Sequence, residues 1–388
     1  MMGKIVIVII VVMIALYMTR VLLMLSYYLG LVKRARGHIS ASQFSVIQPI
    51  VSGDGSLETC LRRNVDQVQD IHFVWVVDQH DHEAIKIVQR IKKDSKAIIK
   101  IIIADEIPQN KNEKVWKQKI ALPHVRKYFI AVDDDVVITY ELLDDIKRRL
   151  DESTCVITAL PYYRMGSDFL TNLVVGFVNG NTLLTYLVMA KLGPMNNMNG
   201  MCYFSKKATF ETLGLFELVE DKLSDEYELA KALKKNQIEV IQDIVPCEVG
   251  TSIDGLSHYV SLMKRWMVFV NIYMRGQLKL GVLVTIVIPT ALPLVILMMA
   301  LLVDPILALG AIVVELVIGV NNYFLRQNLL NAEERLSIIA YEVLARYIQP
   351  FHYIYSLIKP NTIVWRKNQV TIESDGSVNY QKVGGADE

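Results

Sequence analysis

The sequence predicts an α/β domain built on a mainly parallel sheet and carried between transmembrane helices. Short apolar strands alternate with helices from residue 44 to 135, long charge-poor apolar runs lie toward both ends, and acidic residues recur where strands are expected to stop. Of 388 residues, 52% are hydrophobic and 21% charged, with 41 Lys and Arg against 40 Asp and Glu. A chain this apolar is not disordered, and its charge is too balanced for a dedicated nucleic-acid binder. Cys60, Cys155, Cys202 and Cys247 stand far apart, so they form no CxxC pair or disulfide framework and read as free thiols facing a reducing compartment.

Residues 5–32 carry one charge, Arg20, and a bilayer core needs about 20 apolar helical residues to be crossed. The run ends at Lys33, Arg34 and Arg36 with no small-residue cleavage site, so residues 1–33 read as an uncleaved anchor whose downstream side is cytoplasmic, with Arg20 snorkelling toward it. Residues 280–303 hold no charge and 306–325 only Glu315. They read as a hairpin over 279–326, with both ends cytoplasmic beside Lys279 and Arg326 and a kink expected at Pro289 and Pro293. Glu315 reads equally as a functional intramembrane carboxylate or as a structural residue bonded between helices. In 327–388, the stretch 341–358 contains Glu342, Arg346 and Pro350 and is expected to be an interfacial helix followed by a cytoplasmic tail.

Residues 34–278 between these parts are long enough for one large cytoplasmic domain. It opens with strands at 44–50, 72–78, 97–104 and 128–135, separated by helices at 56–69, 82–93 and about 113–127. Residues 169–192 are apolar enough to span, but Asn172, Asn179 and Asn181 interrupt them, and a crossing would place 193–279 outside. An amphipathic helix at the membrane surface is the expectation.

Ligands of open α/β sheets bind beyond the carboxyl ends of the strands. Asp78 and the run Asp133-Asp134-Asp135 fall there, and Asp225-Glu226 opens a later helix. Two carboxylates one residue apart, Asp133 and Asp135, can face a hard divalent cation that completes its shell with water and phosphate oxygens. Such an ion stabilises a departing diphosphate, and Glu226 is placed to take a proton from an attacking hydroxyl. The plainer alternatives are a surface turn for the DxD, a helix-start charge pair for Asp225-Glu226, a helix cap for Asp78 and a solvated loop for His80, Asp81 and His82. Lys111, Lys114, Lys117 and Lys119 read as a solvated helical face from which one lysine reaches a phosphate.

The ordered set VIQPI, VVDQHD, a Lys-rich helix, AVDDDV, ALPYY, NGMCYFSKKATFETLGLF, SDEYELAKAL and KRW, across residues 44–266, resembles the family-2 type membrane glycosyltransferases, most closely the ceramide glucosyltransferase-like branch. The resemblance implies a GT-A domain, Rossmann-like with a mixed, mainly parallel sheet, a UDP-sugar donor, Mg2+ or Mn2+, and inversion at the anomeric carbon. It implies that Asp78 and the backbone at Pro49 meet the nucleoside, that Asp133 and Asp135 hold the sugar diphosphate and metal, and that Lys117 and Arg265 contact the donor. Glu226 falls where the family's catalytic Asp stands and Asp225 where its Glu stands, an inverted order, and Trp266 would line the acceptor site. Leu262 replaces the polar first residue of the motif that ends in Arg265-Trp266. Too few spans are present for a polymer channel, so the expected reaction moves one sugar, glucose or a related hexose, to a lipid such as ceramide or diacylglycerol. A processive polysaccharide synthase, a polyprenyl-phosphate glycosyltransferase and a catalytically degenerate nucleotide-sugar binding protein are the rivals. The compact topology suggests a bacterial plasma membrane.

Overall fold

The central sheet begins with β1, Phe44–Ile50, a run buried along its whole length, as strands covered on both faces are. It is joined by β2 (His72–Asp78), β3 (Ile98–Ala104), β4 (Tyr128–Val132), β5 (Val136–Val137), β6 (Cys155–Tyr163), β7 (Cys202–Lys206) and β8 (Glu239–Val249), in the order β3-β2-β1-β4-β7-β6-β8-β5. The computed structural model describes residues 1–33, 39–68, 70–105, 107–108, 110–149, 155–193, 198–222, 224–277, 279–358, 362–365, 368–372 and 378–382. The Arg34 and Arg36 part of the expected basic flank lies outside them. Two units emerge: a helical one of residues 1–34, 162–194 and 253–358, and an α/β one of 35–161, 195–252 and 359–388.

In the α/β unit β3, β2, β1 and β4 run parallel, and β7 adds antiparallel to β4 and β6. The mixed sheet is the one expected, and the first two strands begin and end where the sequence placed them. The fourth ends early, at Val132, because the carbonyl of Asp133 accepts from Val136 N–H at 3.2 Å and turns the chain. The helix Glu113–Ala121 also ends early. Pro123 lacks an amide donor, and the chain tightens into a 3-10 turn at Leu122–His124. Beneath the sheet Phe129 meets Phe210 edge-on, ring centroids 4.9 Å apart. Burial of such rings makes Phe129 worth about 3–5 kcal/mol against alanine.

The chain passes from β1 through β2 to β3 on one side, then crosses to β4 on the other, so a topological switch lies between β1 and β4. Their register stops at Ile47↔Ala131, while β1 continues beside β2 alone to Ile50. Pro49, with no amide hydrogen to donate, stands in this singly paired stretch.

In the helical unit, Met2–Val32, Phe169–Leu192, Leu280–Val303 and Pro305–Leu330 are each long and apolar enough to cross a membrane. The first, third and fourth cover the residues expected to form the anchor and hairpin. Phe169–Leu192 differs from them, with 56% of its apolar window buried against 17–33%. Its Asn179 Oδ1 accepts from Tyr163 N–H at 2.9 Å and its Nδ2 donates to Glu334 at 2.9 Å. A Cβ on Gly176 would stand 2.6 Å from the backbone of Tyr341, so this helix and Ile338–Ile358 meet backbone to backbone there.

Buried ion pairs tie the same unit. Arg326 binds Glu334 at 2.9 Å and Glu342 at 3.1 Å, and Arg346 binds Glu342 at 2.7 Å and Glu315 at 2.5 Å. Glu315 is therefore bonded between helices. Arg20, expected to snorkel, instead donates to the carbonyl of Leu184 at 3.3 Å, inside a π-helical turn at Leu183–Leu187. A second π turn, Leu283–Val287, precedes Pro289, where the missing proline amide would otherwise break the ladder.

Candidate active site

The carboxyl edge of β1 and β4 is held open by cross-links that leave two acids half-buried. Gln48 in β1 accepts from Trp75 Nε1 at 2.9 Å and donates to the carbonyl of Asp133 at 3.3 Å. Asp134, the buried middle acid, takes the amide of Val51 at 2.9 Å. Asp133 and Asp135 on either side of it are half-buried.

Opposite them the helix Asp225–Lys235 begins. The connecting group is Lys114, in the first turn of Glu113–Ala121. Its Nζ lies 2.9 Å from Asp133 Oδ1 and 3.4 Å from Glu226 Oε1, and donates to the carbonyl of Gly200 at 3.0 Å. Asn112 caps that helix through the amides of Lys114 and Val115, and its Nδ2 donates to the carbonyl of Lys222 at 3.0 Å and to Asp225 at 3.5 Å. Capping thus seats Lys114 at the loop that leads to Glu226.

Burial works against the Lys114 ammonium, but the carboxylates of Asp133, Glu226 and Asp225 together outweigh it and hold its pKa well above the lysine range. Burial pushes the Asp133 carboxyl up, with Lys114 opposing. Asp225 is raised well above the usual range by burial first and by neighbouring Glu226 second. The buried Asp225 is thereby biased to the neutral acid, while Glu226 remains partly accessible beside a cation.

Asp133, Asp225 and Glu226 therefore converge on Lys114 and Asn112, and Asp135 follows Asp133 in the same turn. Asp78 ends β2, where its Oδ1 accepts from His80 N–H at 2.7 Å. Asp81, not Asp78, caps the next helix, through Ala84 N–H at 3.1 Å, and it also accepts from Ser52 N–H at 2.8 Å; it is thus not part of a solvated loop. The lysine face is not solvated either. Lys117 is fully buried, bonded to the Ile50 carbonyl at 2.9 Å and Glu113 at 2.6 Å, which makes it a brace behind β1. Lys111 and Lys119 both pair with Glu220, at 2.8 and 2.9 Å. Arg265 and Trp266 lie in helix Gly255–Gln277 of the helical unit, where Trp266 stacks on Phe177 at 5.9 Å and meets Tyr163 edge-on at 6.0 Å.

Sequence reasoning did not single out Lys114 among the four lysines and missed Asn112 and Gly200. The usable signal was position: a helix following a parallel strand starts near the ligand-binding edge, so its first-turn lysine is closer to the acids than one a turn later. Among the described residues no three His, Cys, Asp or Glu side chains form a metal-binding group. Two carboxylates at a strand end suit a hard cation that arrives with phosphate and water ligands, and not a cage made of protein alone.

A mixed, mainly parallel sheet with a topological switch between β1 and β4 and acidic residues at its carboxyl edge has the form of a GT-A nucleotide-sugar transferase. The chain belongs to glycosyl transferase family 21, the ceramide glucosyltransferase family, whose model matches residues 5–378. It is a hexosyltransferase that uses a nucleotide-sugar donor. No curated protein matches the sequence. Among solved structures, it is similar to the mannosyltransferase PcManGT from Pyrobaculum calidifontis in complex with GDP-Man and Mn2+, at 14% identity over 90% of this chain and 98% of that one, TM-score 0.47. S. aureus TarS 1–349 in complex with UDP is similar at 15% identity over 88% and 97%, TM-score 0.36. The inositol-1-phosphate CTP transferase from T. maritima is similar at 11% identity over 56% and 92%, TM-score 0.34.

Proposed function

We propose that the protein moves one sugar, glucose or a related hexose, from a UDP-sugar to the hydroxyl of a membrane lipid such as ceramide or diacylglycerol, with inversion. The meeting of Asp133 and Glu226 on one ammonium, at the carboxyl edge of the sheet, carries this reading. The acceptor oxygen attacks the anomeric carbon as the carbon–oxygen bond to UDP breaks, and the hydroxyl proton passes to Glu226. Asp133 and Asp135 would hold Mg2+ or Mn2+, which when bound neutralises charge on the diphosphate. Asp225, whose carboxyl burial and neighbouring Glu226 push up, is the more enclosed acid of the pair, so Glu226 is the base in this reading. Asp78 and the backbone at Pro49 frame the nucleoside. Arg265, as a diphosphate contact, and Trp266, as an acceptor contact, belong to the same reading through their motif. The apolar helices support an integral membrane protein with a lipid acceptor. Charge flanks support a reading in which the catalytic domain is cytoplasmic, with Phe169–Leu192 and Ile338–Ile358 at the inner surface of a bacterial plasma membrane.

Membranes containing the protein, incubated with radiolabelled UDP-sugars and extracted into the lipid phase, test this. One labelled lipid bearing a single sugar is expected, and Asp135→Ala abolishes it while the protein stays folded and membrane-bound. Unchanged turnover in that variant overturns the proposal. A product of many sugars replaces it with a polysaccharide synthase, and UDP-sugar binding without any product replaces it with a binding protein.

A further inference from the structure

Gly200 stands in a loop that the rest of the site holds rigid. Asn199 exchanges hydrogen bonds with Thr158 at 2.9 and 3.1 Å and donates from Nδ2 to the carbonyl of Ala159 at 2.9 Å. Met201 N–H donates to Asn199 Oδ1 at 3.1 Å, and Asp133 N–H donates to the carbonyl of Met201 at 3.0 Å. Glycine is not needed here for its backbone freedom, because the positive-φ glycines of the described chain are Gly53, Gly214 and Gly255. What it supplies is space. A Cβ at position 200 would fall 1.9 Å from Glu226 Oε1, 2.1 Å from its Cγ and 2.4 Å from its Cδ, against about 3.5–4.0 Å for an ordinary contact between carbon atoms. The Glu226 side chain lies across the bare backbone, with the Gly200 carbonyl and the Glu226 carboxylate both on Lys114 Nζ.

We propose that Gly200 is a positioning residue for sugar transfer: its missing side chain is the seat of the Glu226 carboxylate, and any larger residue there turns the proton acceptor away from Lys114 and the Asp133 edge. This rests on the reading of Glu226 as the base. The loop is anchored by these hydrogen bonds, whereas the clashing atoms all belong to one flexible side chain. Gly200→Ala therefore folds, and Glu226 is what moves.

Gly200→Ala and Glu226→Gln in phosphatidylcholine vesicles containing ceramide, assayed with UDP-[14C]glucose, test the inference, alongside experimental structures of wild type and Gly200→Ala. Gly200→Ala is expected to unfold at the wild-type temperature, keep its KM for donor and lose kcat roughly 100-fold, the size of effect that a misplacement of about 1 Å produces. The structure of Gly200→Ala is expected to show the Glu226 carboxylate withdrawn from Lys114, a readout independent of turnover. A Glu226 carboxylate still on Lys114, or full kcat in Gly200→Ala while Glu226→Gln is inactive, overturns the proposal. Turnover retained in Glu226→Gln instead overturns the assignment of the base, whatever Gly200→Ala does.

Discussion

Each unit of this protein joins acids through basic side chains, and the two clusters differ in access to water. In the helical unit Arg326 is 1% exposed and its partners Glu334 and Glu342 are 0% and 1% exposed, a closed network. In the α/β unit Lys114 is 11% exposed, but Asp133 and Glu226 keep 27% and 28%. A closed network has no room to exchange partners and fixes the arrangement of helices. An open one leaves carboxylate oxygens for a ligand, and its lysine can be displaced or shared when a donor arrives. Burial thus separates structural charge from chemical charge where residue type does not.

Breaking the closed network should have the largest effect. Arg326→Met leaves Glu334 and Glu342 buried without their shared cation, and a loss of about 3–5 kcal/mol is expected, read as a lowered unfolding temperature in detergent. Next comes the contrast between two lysines one turn apart. Lys117→Met strands the Ile50 carbonyl and Glu113 and should cost about 1–3 kcal/mol of stability with donor KM little changed. Lys114→Met should do the reverse: donor kcat/KM falls, and because Lys114 holds the raised Asp133 carboxyl down, the acid limb of the pH profile moves upward. An unmoved limb would mean that the Lys114–Asp133 contact is not made in solution.

The smallest effect is expected at Asp225. Its folded-state pKa is raised, so the folded state binds the proton more tightly than the unfolded state, and stability falls as pH rises from the ordinary Asp value of about 3.9 through the raised one. Asp225→Asn removes that loss. The variant should unfold at a higher temperature than wild type at pH 8, with the gap closing below about pH 4, where both side chains are neutral. A gap that does not depend on pH would show that Asp225 contributes through shape and not through charge.

Several features were written locally. Val, Ile and Phe recur in β1 and β2, charge-poor stretches set the long apolar helices near both ends, and an acidic run after a buried strand marked the candidate site. What the sequence by itself determined are these properties, because strand periodicity, hydropathy and turn chemistry act over a few neighbouring residues. Only the tertiary structure decided that Lys114 and not Lys117 meets the acids, that Gly200 makes room for Glu226, and that Glu315 is bonded to Arg346. Lys114 and Glu226 are separated by 112 positions, and Glu315 and Arg346 by 31. Contacts over such separations exist only once strands and helices have packed, and no local pattern of residues specifies which distant side chain will fill the space.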